Sequence, residues 1–273
     1  MKILITGFQP FGGESVNPAW EAVKALPDEL DGVKIIKAEI PVVFDEAFAA
    51  VRRAILNNTC PGQGGELPCD QQCEKLAAVV CVGQAGGRSG ITPEKIAINL
   101  KDARIPDNAG NAPKDEPIRA GGPDGYFSSL PVRAMVDAMQ KANVPSSLSL
   151  SAGAYVCNDV FYDLMDYLAA GKLIGDDHIS AEGGTGSALG GFIHVPFSSE
   201  QLAGRDSGGA PVGATPTVSK PAETRPALPS LPICEISRGL TICLQTLIDY
   251  LKALPKASLD PNQSMEGELY ETD

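Results

Sequence analysis

The sequence predicts a layered α/β domain, and two recurring patterns lead to this prediction. Short apolar runs of strand length recur along the chain, and between them lie segments in which apolar residues have helical spacing. Strands that alternate with helices are typical of a sheet covered by helices. These patterns leave open whether the sheet is wholly parallel or mixed.

The predicted strands are short and mostly apolar, as buried strands are. The clearest is the run AAVVCVG at residues 77–83. The run at residues 2–7 ends in glycine, and the run at residues 191–195 is closed by a proline. The remaining predicted strands are residues 33–43, 96–100 and 148–151.

The predicted helices carry their apolar residues on one face. Asn17 and Pro18 mark a helix start, because proline is favoured at the first helical position. The strongest helix prediction covers residues 236–251, where four leucines form one stripe. The other predicted helices are residues 45–56, 131–142 and 157–168.

Three segments rich in Gly, Pro and polar residues interrupt this pattern. They are residues 59–74, 171–189 and 203–229, and we expect loops or disordered insertions there. The tail at residues 255–273 is acidic and expected to be frayed. The sequence therefore predicts one α/β domain over residues 1–254, and we expect the third insertion to be dispensable for chemistry.

The charge of the chain excludes several classes of partner. There are 34 acidic and 22 basic residues, a formal charge of −12, and no cluster of Lys and Arg. Nucleic acid and anionic membrane surfaces would be repelled, so we expect neither as a partner. No apolar run approaches the roughly 18–20 residues of a membrane span, and the opening run is too short for a signal peptide. We therefore expect a cytoplasmic protein.

The sequence gives no sign of a metal ion or a cofactor. Seven cysteines, an odd number, argue against a disulfide framework. Cys60, Cys69 and Cys73 lack a tight Cys-x-x-Cys pair and a nearby histidine, which argues against a zinc site. The glycine-rich turns after the first strands complete no phosphate-binding motif. We expect no cofactor.

Cys157 stands between a predicted strand and a predicted helix. A thiol in the first turn of a helix lies near unpaired N–H groups and the helix dipole, which both favour the thiolate. Those amides can also hold an oxyanion. However, Cys157, Phe161, Leu164 and Leu168 form one apolar stripe, so a buried structural cysteine is an equally good interpretation.

His194 is the stronger candidate of the two histidines. His178 lies in the second insertion, where a solvated loop position is expected. His194 ends a predicted strand, at the kind of sheet edge where α/β proteins place their sites. The alternative is a core histidine whose ring is satisfied by a backbone carbonyl.

Phe8 and Phe11 flank Gln9 and Pro10 directly after the first predicted strand. Two phenyl rings at such a place either fill the core or line an apolar pocket. Composition does not choose between these two interpretations.

Four ordered segments of the chain resemble the pyroglutamyl-peptidase I family. They are ITGFQPFGGESVNPAWEAV at 5–23, CVGQAGGRSGITPEKIAINLKDARIPDNAGN at 81–111, SAGAYVCNDVFY at 151–162 and GFIHVPFSSEQ at 191–201. The resemblance extends from residue 2 to about residue 251, apart from the three insertions. It implies a three-layer α/β/α sandwich with a mixed sheet.

The resemblance also implies a cysteine peptidase that removes an N-terminal pyroglutamyl residue from peptides through a thioester. The catalytic group would be Glu94, Cys157 and His194, and Arg104 would support the oxyanion. Residues expected to line the substrate pocket are Phe8, Phe11, Gln84 and Tyr155. Bacterial members are often homotetramers, which leaves homo-oligomerisation open here because the insertions could remodel an interface.

Two other functions remain as alternatives. A phosphorylase-like enzyme could share the α/β architecture, but it would need a phosphate site that the sequence does not supply. A non-enzymatic binding module could recruit partners through the insertions.

Overall fold

The computed structural model describes residues 1–59, 76–171, 188–203 and 228–254. Nearly all of the three predicted insertions lies outside these residues, as do the acidic tail, His178, Cys60, Cys69 and Cys73. The predicted domain limits and the dispensable third insertion therefore stay predictions. Within the described residues, no helix is long and apolar enough to cross a membrane.

Sixteen elements follow one another along the described chain. In order they are β1 (Lys2–Phe8), α1 (Pro18–Lys24), β2 (Glu29–Leu30), β3 (Val33–Ile40), α2 (Glu46–Thr59), β4 (Leu76–Gln84), β5 (Thr92–Pro93), β6 (Ile96–Ile98), β7 (Gly125–Phe127), α3 (Val132–Lys141), α4 (Val156–Ala169), β8 (Leu189–Val195), β9 (Phe197–Ser198), α5 (Ser199–Ala203), β10 (Ser230–Leu231) and α6 (Ile233–Ala253).

The central sheet has six strands in the order β2-β3-β1-β4-β8-β5. The four inner strands run parallel, and the short strands β2 and β5 are antiparallel to their neighbours at the two edges. The sheet is therefore mixed and mostly parallel. Because parallel strands end at a common edge, the carboxyl ends of β4 and β8 lie side by side.

Two apolar cores lie on opposite faces of this sheet. Along β4, Val80 and Val82 face the core formed with α1, α3 and α6, whereas Val79 and Cys81 face the core formed with α2 and α4. This alternation follows from the two-residue period of a strand. Each fully buried aliphatic side chain contributes roughly 1.5–3 kcal/mol of transfer free energy. The expected three-layer α/β/α sandwich is confirmed.

The predicted helices and strands mostly match the structure. The Asn17 side chain accepts a hydrogen bond from the N–H of Ala19 at 3.0 Å, so α1 begins with a side-chain cap and Pro18 in its first turn, as predicted. The predicted helix at 236–251 is the core of α6, which is longer at both ends.

Two strand predictions need correction. Residues 148–151 form no strand; Ser149 makes a single bridge to Glu94, and its hydroxyl then bonds the carbonyl of Ser151, which ends the extended pairing. Residues 96–100 supply only β6, which pairs with β7 in a separate two-stranded sheet. There the Asn158 side chain, at the start of α4, accepts a hydrogen bond from the Ile98 N–H and donates one to the Ile98 carbonyl.

Candidate active site

His194 and Gly83 lie opposite each other at the carboxyl ends of two neighbouring strands. They are paired in register on β8 and β4, and Thr92 of β5 pairs with His194 on its other side. The imidazole is therefore carried by the middle strand of three. It is 3% exposed, and the ring of Phe192 packs against it with the ring centroids 4.8 Å apart.

Cys157 is the second residue of α4, and its thiol lies directly over Gly83. A Cβ atom at Gly83 would come within 2.9 Å of Cys157 Sγ and within 2.8 Å of Phe192 Cζ. Only a residue without a side chain leaves room for the thiol at this point of the strand. Since Gly83 faces His194 across the strand pair, the thiol and the imidazole share one corner of the sheet.

Glu94 completes the group by a short contact with the histidine. Its Oε1 lies 2.7 Å from His194 Nδ1, and the carboxylate is fully buried. The Glu94 N–H donates to the carbonyl of Phe192 at 2.9 Å, which holds the residue against β8. The structure thus brings together the three residues that the sequence resemblance implies.

The charges of this pair set the tautomer of the imidazole. Burial alone would raise the pKa of Glu94, but the hydrogen bond and charge of His194, with help from Ser149 and Arg88, lower it. Burial lowers the pKa of His194 despite the opposing effect of Glu94. At neutral pH, a neutral His194 therefore donates Nδ1–H to an ionised Glu94, which leaves Nε2 free to accept a proton.

The Cys157 thiol is protonated at rest, contrary to the effect expected from the helix dipole. Burial, and to a lesser degree the charge of Glu94, raises its pKa to about 12, while Arg88 opposes the rise. The cost of desolvating a thiolate outweighs the favourable helix terminus. Part of the residue remains exposed, so the thiol can meet a substrate but needs a base to become a nucleophile.

Arg88 is a site residue that the sequence analysis missed. Its Nη1 lies 2.7 Å from Glu94 Oε1 and also donates to the Thr92 hydroxyl, while Nη2 donates to the carbonyl of Ser151 at 3.1 Å. Arg88 stands only six positions before Glu94 in the segment 81–111, but an arginine in a glycine-rich turn carries no local signal of a buried partner.

Arg104 lies apart from the Glu94–His194 pair, on an exposed loop. Its guanidinium makes no ion pair with a described residue. The loop is nevertheless tied to the chain just before Cys157: the N–H of Asp102 donates to the carbonyl of Ala154 at 2.8 Å, and the Tyr155 hydroxyl donates to the carbonyl of Pro106 at 3.0 Å. The backbone on either side of Arg104 is thus tied to the two residues that precede Val156 and Cys157.

The predicted aromatic pocket divides into a core residue and surface residues. Phe8 is the last residue of β1 rather than part of a loop; it is 2% exposed and packs against Phe192 with ring centroids 6.3 Å apart. Phe11 and Tyr155 remain partly exposed, with their rings 6.3 Å apart. Phe44, which the sequence analysis did not single out, packs edge-on against Tyr155 at 5.4 Å.

Gln84, the last residue of β4, has a buried neighbour that was also missed. Gln201 Nε2 donates to Gln84 Oε1 at 3.4 Å. Gln201 is 5% exposed, and its own Oε1 has no hydrogen-bond partner among the described residues. The two amides form a polar end to a site whose other walls are aromatic.

Comparisons with known proteins identify the family of the chain. A family profile described as pyroglutamyl peptidase matches residues 1–63 and 69–250. Pyrrolidone-carboxylate peptidase 1 of Streptococcus pneumoniae serotype 4 is 40% identical over 250 residues, covering 92% of this chain and 94% of that protein. Pyrrolidone-carboxylate peptidase of Lactobacillus acidophilus is 47% identical over 204 residues, covering 74% of this chain and 86% of that protein.

Solved structures give the same result. The crystal structure of pyroglutamyl peptidase I from Bacillus amyloliquefaciens superimposes with a TM-score of 0.69 at 36% identity, covering 92% of this chain and 98% of that chain. A mutant pyrrolidone carboxyl peptidase from Pyrococcus furiosus gives a TM-score of 0.71 at 29% identity, covering 92% of this chain and all of that chain. The chain belongs to the pyroglutamyl peptidase family.

Proposed function

We propose that this protein removes the N-terminal pyroglutamyl residue from peptides, with Cys157 as the nucleophile, His194 as the general base and Glu94 as the group that orients the imidazole. The observation that carries the proposal is the 2.7 Å contact between Glu94 Oε1 and His194 Nδ1 at the sheet corner where the thiol lies. A nucleophile beside a base that a third group orients is the geometry of covalent acyl transfer.

The reaction proceeds in two acyl-transfer steps. His194 Nε2 takes the thiol proton as Cys157 Sγ attacks the carbonyl carbon of the pyroglutamyl residue. The tetrahedral intermediate collapses when the same nitrogen gives its proton to the leaving amine, so the peptide departs and a thioester remains. His194 then takes a proton from a water molecule as the water attacks the thioester, and it gives that proton to the sulfur as free pyroglutamate leaves.

Glu94 acts without changing its own charge. Its carboxylate stays ionised throughout, holds Nδ1–H and stabilises the imidazolium that forms when the thiol loses its proton. The high pKa of the thiol makes this assistance necessary, because little thiolate exists at neutral pH without a base.

The oxyanion needs donors near the first turn of α4. The N–H of Cys157 lies at a helix start, where backbone amides lack intrahelical acceptors. We assign Arg104 as a second, charged support, because Asp102 and Pro106, on either side of it, hydrogen-bond to Ala154 and Tyr155 just before Cys157.

The pocket suits a small neutral lactam. Phe11 and Tyr155 would contact the flat ring, Phe8 would support the site from the core beneath, and Gln84, oriented by Gln201, would bind the polar edge of the lactam. Such a pocket offers no counter-charge for a free α-amine. An ammonium group placed there would be desolvated and unpaired, which costs several kcal/mol.

Two observations favour this function over the alternatives. A phosphorylase-like enzyme needs a phosphate site, but Arg88 is already paired with Glu94, which leaves Arg104 as a lone candidate among the described site residues, without a phosphate-binding motif beside it. A binding module would gain nothing from a buried carboxylate–imidazole pair, whose desolvation is costly unless the pair does chemistry or is fully compensated.

The experiment compares three fluorogenic amides on the wild-type protein and on Cys157→Ser. We expect the wild type to hydrolyse the pyroglutamyl amide with a kcat/KM at least roughly 10⁴-fold above the prolyl and glutamyl amides, since those leave buried polar groups unpaired. Cys157→Ser should lose several orders of magnitude, because a hydroxyl is a far weaker nucleophile in this setting. Comparable rates on prolyl and pyroglutamyl amides, or an active serine variant, would refute the proposal.

A further inference from the structure

Arg88 makes three polar contacts that converge on the catalytic group. Nη1 is 2.7 Å from Oε1 of Glu94, the same oxygen that receives the His194 Nδ1–H, and it also donates to the Thr92 hydroxyl. Nη2 donates to the Ser151 carbonyl at 3.1 Å. The guanidinium uses both of its terminal nitrogens at once, which a lysine ammonium could not reproduce.

These contacts link three parts of the chain whose relative positions determine the geometry of the catalytic group. Arg88 lies in the turn after β4, Thr92 opens β5 beside His194, and Ser151 begins the segment that leads to Cys157. Arg88 therefore connects the carboxylate to the segment that carries the thiol. Its side chain is 27% exposed, whereas Glu94 is fully buried, so the arginine covers the carboxylate on its solvent side.

The second oxygen of the carboxylate does not help to fix its orientation. Glu94 Oε2 is buried and has no hydrogen-bond partner within the described residues, although Ser149 lies near enough to favour the charged form. A buried carboxylate held through only one oxygen depends strongly on the donors to that oxygen. Those donors are His194 and Arg88.

We propose that Arg88 is a positioning residue, which fixes the ionised Glu94 carboxylate in the orientation that receives His194 Nδ1–H. The inference rests on the proposed roles of Cys157, His194 and Glu94. Arg88 touches neither the reacting sulfur nor the substrate carbonyl in this account, and it acts through Glu94. Outer groups that orient a functional side chain commonly affect activity by about 10–100-fold when removed.

The charge of Arg88 acts in the same direction on three titratable groups of the site. The groups that face one another here are Glu94, His194, Cys157 and the buried Cys81. The guanidinium lowers the pKa of Glu94, of the Cys157 thiol and of His194. Its removal should raise all three, so the active protonation state should be reached only at higher pH.

The test measures kcat and KM for a pyroglutamyl amide across pH 5 to 9 in the wild type, Arg88→Gln and Arg88→Lys. Arg88→Gln should lower kcat/KM about 10–100-fold, mostly in kcat, and should move the acid limb of the profile upward by about one pH unit. Arg88→Lys should retain part of the wild-type pH profile, because lysine keeps the positive charge. It should not retain the full kcat, because an ammonium group cannot reproduce the contacts that the two terminal nitrogens of the guanidinium make. The matched control is Arg238→Gln, which breaks the Arg238–Glu235 surface ion pair on α6 and should change neither quantity.

A second readout does not depend on substrate. The rate of Cys157 alkylation by iodoacetamide against pH should shift upward in Arg88→Gln in parallel with the acid limb. A glutamine variant with wild-type kcat and pH profile would overturn the inference, as would an equal loss in both variants with an unmoved acid limb and a lowered Tm. If Cys157→Ser is inactive while Arg88→Gln behaves as wild type, only this inference fails; an active Cys157→Ser would remove the proposed function itself.

Discussion

At the scale of single residues, the site depends on a buried pair with little solvent to support it. Glu94 is fully buried and His194 is 3% exposed, so each would be costly to charge alone. The contact at 2.7 Å and the Arg88 guanidinium offset that cost, and the hydrogen bond from the Glu94 N–H to the Phe192 carbonyl holds the residue in place. Removing one of these partners should therefore lower activity strongly, even for Arg88, whose side chain is partly exposed.

The first prediction separates the pocket from the core. Phe11→Ala should raise KM for a pyroglutamyl amide roughly tenfold with kcat nearly unchanged, because a partly exposed ring that contacts the lactam contributes about 1.4 kcal/mol. Phe8→Ala should instead lower stability by about 3–5 kcal/mol, since its ring is fully packed against Phe192.

Steady-state kinetics and thermal unfolding on both variants check this division. Phe48 offers a control, because its ring packs on Tyr167 rather than near the thiol. If Phe11→Ala leaves KM unchanged while the protein stays folded, the ring does not line the pocket.

The residue scale also shows what local sequence can and cannot reveal. Cys157 and His194 are recognisable because each occupies a defined junction of strand and helix or strand and loop. Glu94 follows only from the resemblance, since a carboxylate after Thr92-Pro93 looks solvated. Arg88 was missed because nothing in its glycine-rich turn marks a buried partner, and Gln201 was missed because its partner Gln84 lies 117 positions away.

At the scale of elements, the approach of α4 to β4 sets the position of the thiol. The helix begins at Val156, and its second residue rests against Gly83 with no room for a Cβ. The end of a parallel strand next to a helix start is a common location of α/β active sites. Here the missing side chain at Gly83 is what allows the two elements to meet.

The second prediction concerns this contact. Gly83→Ala should lower kcat by at least about 10²-fold, because the added methyl group would displace Cys157 Sγ from His194. Gly190→Ala is the matched control: it also lies on the sheet and also crowds α4, but through Leu168 at the far end of the helix.

Both variants should unfold at a lower temperature than the wild type. Only Gly83→Ala should show a fall in kcat that is larger than its loss of stability explains. The measurements are kcat, thermal unfolding and the rate of Cys157 alkylation. Equal effects of the two alanines on kcat would show that the site tolerates movement of the thiol.

The elements were largely predictable because their apolar spacing is regular. The strands that form the centre of the sheet and the long helices carry clear patterns. The segment 148–151 was wrong as a strand because Leu150 is 70% exposed and the segment makes only an isolated bridge, between Ser149 and Glu94, rather than a continuous ladder. Residues 96–98 pair with β7, which lies well separated from them along the chain. No local pattern therefore predicts which sheet they join.

At the scale of the whole molecule, α4 also buries an acidic group that affects folding. Asp159 is fully buried; its Oδ2 accepts a hydrogen bond from the Asp45 N–H at 3.0 Å, and its Oδ1 has no partner among the described residues. Burial, with a smaller contribution from Asp163, raises the pKa of Asp159 from 3.8 to about 7 against the opposing effects of the Asp45 N–H and of Lys101.

The third prediction follows from that raised pKa. A group that the folded state holds protonated contributes stability that is fully present below about pH 3.8 and is lost as the pH rises through about 7. Asp159→Asn keeps a neutral side chain at every pH. The free energy of unfolding of the wild type, relative to the variant, should therefore fall by on the order of 3 kcal/mol between pH 4 and pH 8.

Denaturant unfolding of both proteins at several pH values tests this effect. The comparison isolates Asp159, because Asp163, whose pKa burial raises to about 6, is present in both proteins. A constant difference across the range would mean that Asp159 is ionised in the folded state at low pH.

The most direct test of the central claim is to identify the residue that carries the acyl group. The protein is mixed with a pyroglutamyl ester, quenched with acid during turnover and digested, and its peptides are analysed by mass spectrometry. The account predicts one pyroglutamyl group on the peptide that contains Cys157, sensitive to hydroxylamine as a thioester is, and absent from Cys157→Ala. An adduct on Cys81, Cys234 or Cys243, or undiminished hydrolysis by Cys157→Ala, would contradict it.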